Sequence, residues 1–184
     1  MSYCDTIKAM PEGSRKELHQ RYHDYFYGFP LHDDNELFGR LVMEINQAGL
    51  SWETILKKEE AFRKAYHNFD ISTVANFCEA DINRLLNDST IIRNKLKINA
   101  VIANARTIIN IQNEFGSFEN WLNYHHPKDK EAWVKLFKKT FKFTGGEIVG
   151  EFLMSTGYLP GAHDDKCEIQ AIIEKSQPKH LNKA

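Results

Sequence analysis

Apolar residues recur at helical spacing along nearly the whole chain, and no run alternates in the period-two manner of a half-buried strand. That pattern restricts the fold class to all-α. The spacing predicts helices over 13–24, over 34–48 with Leu37, Phe38, Leu41, Ile45 and Ala48 on one face, and from Ser51 to about residue 67. It continues with short helices near 72–78 and 81–87, a long one over 90–114, and further helices over 118–124, 131–140 and 145–156. Residues 1–175 are expected to form one domain, with 176–184, a polar stretch, as a frayed and disordered tail.

The 184 residues include 42% hydrophobic and 12% aromatic ones, enough for a sizeable core. No segment has the roughly 18 uninterrupted apolar residues of a membrane span, and MSYCDTIKAM lacks the layout of a secretory leader, so a cytoplasmic protein without a membrane role is expected. With 24 Lys+Arg against 25 Asp+Glu, the net charge is −1, and nucleic-acid binding would have to rest on a local patch. Three cysteines, at 4, 78 and 167, are too few and too scattered for a disulfide framework, which leaves metal binding or burial for Cys4 and Cys167.

Several residues break the core pattern in ways that point to chemistry. Glu44 lies seven residues after Leu37 and three after Leu41, so the period that buries those leucines turns a carboxylate inward. Such a group needs an ion pair or a cavity. Gly49 should end that helix, and Trp52 opens the next, which brings an indole beside the carboxylate; stacking on one face and hydrogen bonding along an edge is how a planar heterocycle is held. The tract YHDYFYGFP at 22–30 is either a core corner or a stacking platform, and its Tyr22 and Tyr27 carry hydroxyls suited to lining a site.

His163 and Cys167 have the i, i+4 spacing that would place two metal ligands on one helical turn, and Cys4 and His23 are the natural candidates to complete a Cys2His2 set. The alternative is exposed histidines and idle thiols. Between residues 80 and 105 the pattern reads helix, polar turn, helix, with Asp88 or Ser89 as N-cap of the second. Arg93, Lys95 and Lys97 nearby could hold a phosphate or simply form a solvated basic face.

Taken in order, YHD at 22–24, QAGLSW at 47–52, ILKK at 55–58, IIRNKLKI at 91–98, NA at 104–105, GSFENWL at 116–122 and FKFTG at 141–145 make the chain, from about residue 4 to 167, resemble the DNA-3-methyladenine glycosylase I family. This family is a zinc-containing branch of the helix-hairpin-helix repair glycosylases. The resemblance implies a bilobal all-helical fold, a pocket between lobes for a base flipped out of double-stranded DNA, and hydrolysis of the N-glycosidic bond of alkylated purine. It implies that Glu44 is the pocket glutamate and catalytic residue, that Trp52 and Tyr22 complete base binding, and that the turn with Ser89, Arg93, Lys95 and Lys97 meets the DNA backbone; Tyr27, from the aromatic tract, is a further base-binding candidate. It further implies one structural Zn2+ held by Cys4, His23, His163 and Cys167 to join the N- and C-terminal segments. The family pattern places no lysine for Schiff-base chemistry, so a monofunctional enzyme is expected, and no water-activating aspartate. A monomer is expected.

The chain departs from that pattern at Thr6 and Tyr27, where the family commonly has tryptophan, and at Thr90, where it has glycine. Glu147 and Glu151 stand where small or hydroxyl-bearing residues are usual. These departures bear on which alkylated base is preferred. A catalytically silent relative that binds damaged or distorted duplex is the alternative reading, and a zinc-stapled helical interaction module a third.

Overall fold

The computed structural model describes residues 2–182 and contains, among them, twelve α-helices and no strand. The hub is α3 (Asp34–Gln47), which touches α4 (Trp52–Leu56), α6 (Ile71–Ala75), α8 (Lys95–Phe115), α9 (Phe118–His125) and α11 (Gly146–Ser155). Leu37, Phe38, Leu41, Val42 and Ile45 are fully buried, each such side chain contributing on the order of 1.5–3 kcal/mol. Gly39 permits a close approach that any side chain would block: a Cβ there would sit 2.4 Å from the Phe69 ring.

Both ends of α3 are tied down. Asp33 caps it by accepting from the Glu36 amide at 3.0 Å. Asp34 reaches outward to accept from the Phe118 and Glu119 amides at 2.8 and 3.1 Å, which caps α9 and locks the two helices together. At the other end the Lys97 ammonium donates to the carbonyls of Asn46 and Ala48 at 2.8 and 2.7 Å. A cation on the last carbonyls of a helix satisfies its free acceptors and its dipole together.

The expected helix from Ser51 to about residue 67 is in fact two, α4 and α5 (Glu59–Ala65), followed by a 3-10 turn at His67–Phe69. Ile55, Leu56, Phe62 and Ala65 are buried on both sides of the break, so the apolar period runs through it and hides it from a sequence reading. The long helix α8 begins at Lys95 because Asn94, rather than Asp88 or Ser89, is its N-cap, accepting from the Leu96 and Lys97 amides at 3.0 and 3.2 Å. Asp88 instead closes its own turn after α7 (Glu79–Asn87) by accepting from the Thr90 amide at 2.9 Å.

Helix α1 (Tyr3–Ala9) precedes α2 (Ser14–Tyr25), nucleated by a Ser2/Asp5 capping box that the apolar pattern does not signal. After α10 (Lys130–Thr140) and α11, a loop leads to α12 (Glu168–Lys175), which the spacing had not predicted either. The expectation of a frayed tail does not hold through residue 182. Pro178 is buried against Gly157, and the His180 amide donates to the Gly157 carbonyl at 3.0 Å. Residues 183–184 of the expected tail lie outside the described residues.

Candidate active site and metal centre

A cavity of about 360 Å³ opens where α1, α2, α3, α4 and α11 meet, and Glu44 lines it from α3. Ordinary α-helical periodicity points this side chain inward, leaving it only 3% exposed. Among the described residues nothing hydrogen-bonds to it or pairs with it. Burial pushes its carboxyl up to about 8, the nearby Arg40 opposing the rise and Glu151 adding to it. Arg40 is no ion-pair partner, because its guanidinium donates to the Tyr22 hydroxyl at 3.3 Å and to the carbonyls of Phe26 and Ser155 at 3.4 and 3.3 Å.

Trp52, in the first turn of α4, forms an adjoining wall with its ring 5.0 Å from that of Tyr22. Its indole Nε1 is buried and has no partner among the described residues. Tyr27, just past α2, lines the same space and donates its hydroxyl to Glu151 of α11 at 3.1 Å. Tyr22, Tyr27, Glu44 and Trp52 are thus gathered around one void, as the sequence led us to expect. Tyr3, Gln47 and Met154 also line it and were not foreseen; for Tyr3 the available signal was its place beside Cys4. Of the remaining departures, Glu147 is outside the cavity, exposed and paired with Lys130 at 3.3 Å.

Adjacent to this cavity, Cys4 of α1, His23 of α2, His163 and Cys167 bring their ligand atoms within 4.8 Å of one another, all four residues buried. His23 Nε2 lies 3.2 Å from the Cys4 sulfur and 3.7 Å from that of Cys167, while His163 Nδ1 lies 3.7 and 3.5 Å from the same two. Tetrahedral coordination with metal–sulfur and metal–nitrogen distances of about 2.3 and 2.05 Å gives sulfur–nitrogen edges of about 3.5 Å. The outer ring nitrogens are also accounted for: His23 Nδ1 meets the Asp24 carboxylate at 2.6 Å and His163 Nε2 the Tyr27 carbonyl at 2.8 Å. Those partners leave the inner nitrogens as lone-pair donors, the arrangement that metal-bound histidines require. The donor set therefore fits a metal ion. His163 and Cys167 do not share a helical turn as their spacing suggested; they sit in the loop before α12, whose N-cap is Cys167.

The four residues expected at the DNA backbone divide. Ser89, Arg93 and Lys95 are exposed on the α7–α8 turn and the start of α8. Lys97 is 5% exposed and committed to the end of α3, so its assignment to phosphate is corrected. Lys97 shares a helical stripe with the buried Val101, Asn104 and Ile108, and that spacing was the signal for an inward position.

Comparisons with known proteins place the chain in a family. The profile of the methyladenine glycosylase family matches residues 12–135. DNA-3-methyladenine glycosylase 1 of Escherichia coli is 34% identical over 165 residues, which cover 79% of this chain and 88% of that protein. The fold is similar to a crystal structure of a variant 3-methyladenine DNA glycosylase I in complex with 3-methyladenine, with a TM-score of 0.78 and 31% identity over 92% of this chain and 97% of that one. The 3-methyladenine DNA glycosylase I of Staphylococcus aureus gives a TM-score of 0.77 at 29% identity, with the same coverage. The chain belongs to the methyladenine glycosylase family.

Proposed function

We propose that the protein is a monofunctional DNA glycosylase that hydrolyses the N-glycosidic bond of 3-methyladenine in double-stranded DNA. The observation that carries this reading is Glu44: a carboxyl buried without a counter-charge beside an unpaired indole N–H, facing a cavity large enough for one purine. An unsatisfied group of that kind costs stability and is retained where a ligand completes it.

Methylation at N3 places a positive charge on the purine and weakens its bond to the sugar. The bond's electron pair leaves with the base, which departs neutral; water adds to C1′ and loses a proton. Trp52 would take the extruded ring by stacking and by cation–π attraction, with Tyr22 on the adjoining wall. Glu44 would accept hydrogen bonds from the base edge, and the arriving cation would favour its ionised form, the proton that burial holds on it passing to solvent. Recognition of a lesion that is already a good leaving group supplies much of the selectivity.

Cys4, His23, His163 and Cys167 would hold one Zn2+. Four protein ligands leave no position open for water, so the ion supplies a cross-link and no reaction step. That cross-link would fasten α1 and α2 to the segment ahead of α12 within a single domain. The α7–turn–α8 unit would serve as the hairpin on the DNA backbone, with Ser89, Arg93 and Lys95 meeting phosphates and the two lobes of the family's fold closing around the base.

Incubation with methylated DNA should release free 3-methyladenine, and Glu44→Gln should slow that release on the order of a hundredfold. Wild-type protein that binds duplex but liberates no base would overturn the reading in favour of a silent relative.

A further inference from the structure

We propose that Glu151 is a second carboxyl wall of the base pocket and that it selects purines carrying a positive charge. This rests on the glycosylase reading above. Glu151 projects from α11 into the cavity that Glu44 enters from α3. Its Oε2 accepts the Tyr27 hydroxyl at 3.1 Å, its Oε1 is uncommitted, and no cation pairs with it among the described residues. Glu147, one turn earlier on the same helix, points to solvent and is paired with Lys130. The buried Arg40 is spent on the Tyr22 hydroxyl and on two carbonyls.

The void is therefore lined by two carboxyl groups, from α3 and α11, and by no Lys or Arg side chain among the described residues. Tyr27 contributes more acceptor character, because its proton is directed to Glu151. A neutral purine gains little from such walls, whereas a purinium ion gains from both, and the ligand class that fits is the alkylated purine cation, methylated at N3 or N7.

The effect falls on binding and not on bond breaking. As the glycosidic bond opens, positive charge shifts from the base towards the sugar, so attraction between Glu151 and the base is greatest before the transition state and is partly retained within it. The residue therefore acts on KM and on the choice of base, and it lets go of a product that has become neutral.

The test uses two probes in calorimetric titration: 3,9-dimethyladeninium, a cation with methyl in place of the sugar, and 9-methyladenine, the uncharged parent purine. Wild-type protein should prefer the cation. Glu151→Gln should cut that preference about tenfold by weakening the cation alone, the loss of one charge–charge contact. On methylated DNA the same variant should raise KM without lowering kcat. Glu151→Asp should keep the preference, and so should Tyr27→Phe, which removes the hydrogen bond but leaves the charge. An unchanged preference in Glu151→Gln overturns the proposal, as does an equal loss in Tyr27→Phe, which would reduce Glu151 to a support for the tyrosine. Wild-type protein that releases no 3-methyladenine instead overturns the glycosylase reading and this inference with it; release with an unchanged preference in Glu151→Gln overturns the inference alone.

Discussion

The Cys/His cluster and the base cavity lie side by side, and they treat their polar groups in opposite ways. In the cluster, every histidine nitrogen has a designated neighbour: the inner ones face sulfur, and the outer ones meet Asp24 and the Tyr27 carbonyl. In the cavity, Glu44 and the Trp52 N–H are buried and have no partner among the described residues. A saturated cluster with four protein ligands suits a permanent cross-link, whereas unmet hydrogen-bonding capacity suits a ligand that comes and goes. The contrast separates structural from functional polarity without reference to any relative.

The largest effect should come from opening the saturated side. Elemental analysis of purified protein should find about one zinc per chain, and Cys4→Ser should lower Tm by more than about 10 °C, a loss of several kcal/mol for a chain of this size. A metal-free protein with unchanged Tm would erase the distinction between the two sites.

Next is the unsaturated side. Because burial raises Glu44 from 4.5 to about 8, the folded protein binds more protons than the unfolded chain between those values. Stability from the neutral carboxyl is complete below about 4.5, declines as pH rises, and is gone above about 8. Glu44→Gln should remove that decline and be more stable than wild type at pH 8, by roughly a few kcal/mol in urea unfolding, while losing activity. Parallel pH profiles for the two proteins would show that Glu44 has a partner after all.

A smaller effect sharpens the comparison at the end of α3. Lys97→Met should cost about 1–3 kcal/mol by leaving buried carbonyls unpaired, and should leave the salt dependence of duplex binding unchanged. Lys95→Ala should do the reverse, with stability unaltered and the slope of log K against log salt reduced by about 0.9. Equal salt slopes for wild type and Lys95→Ala would remove that residue from the DNA surface.

Much of the site was legible in the sequence because helical periodicity fixes direction. Glu44 shares the stripe of Leu37 and Leu41, and both the inward carboxylate and its neighbouring indole follow from counting residues. The cluster was legible only as a set of residue types, since Cys4 and His23 are joined to His163 and Cys167 by tertiary packing that no local spacing encodes. The break between α4 and α5 and the start of α8 were hidden for a different reason. Buried residues flank the first on both sides, and a side-chain cap at Asn94 outcompeted two equally plausible caps for the second. Lys97 was misread because a window holding three basic residues resembles a solvated face, although one of them lies on the buried stripe.

Tyr27 belongs to both neighbouring sites, with its main chain receiving His163 and its phenol reaching Glu151. Those two duties are mechanically separable. The peptide unit can stay riveted to the frame while the side chain is exchanged, so on the proposed function this position would allow the range of accepted lesions to drift, or to be redesigned, without disturbing the cluster where α1 and α2 meet the segment ahead of α12.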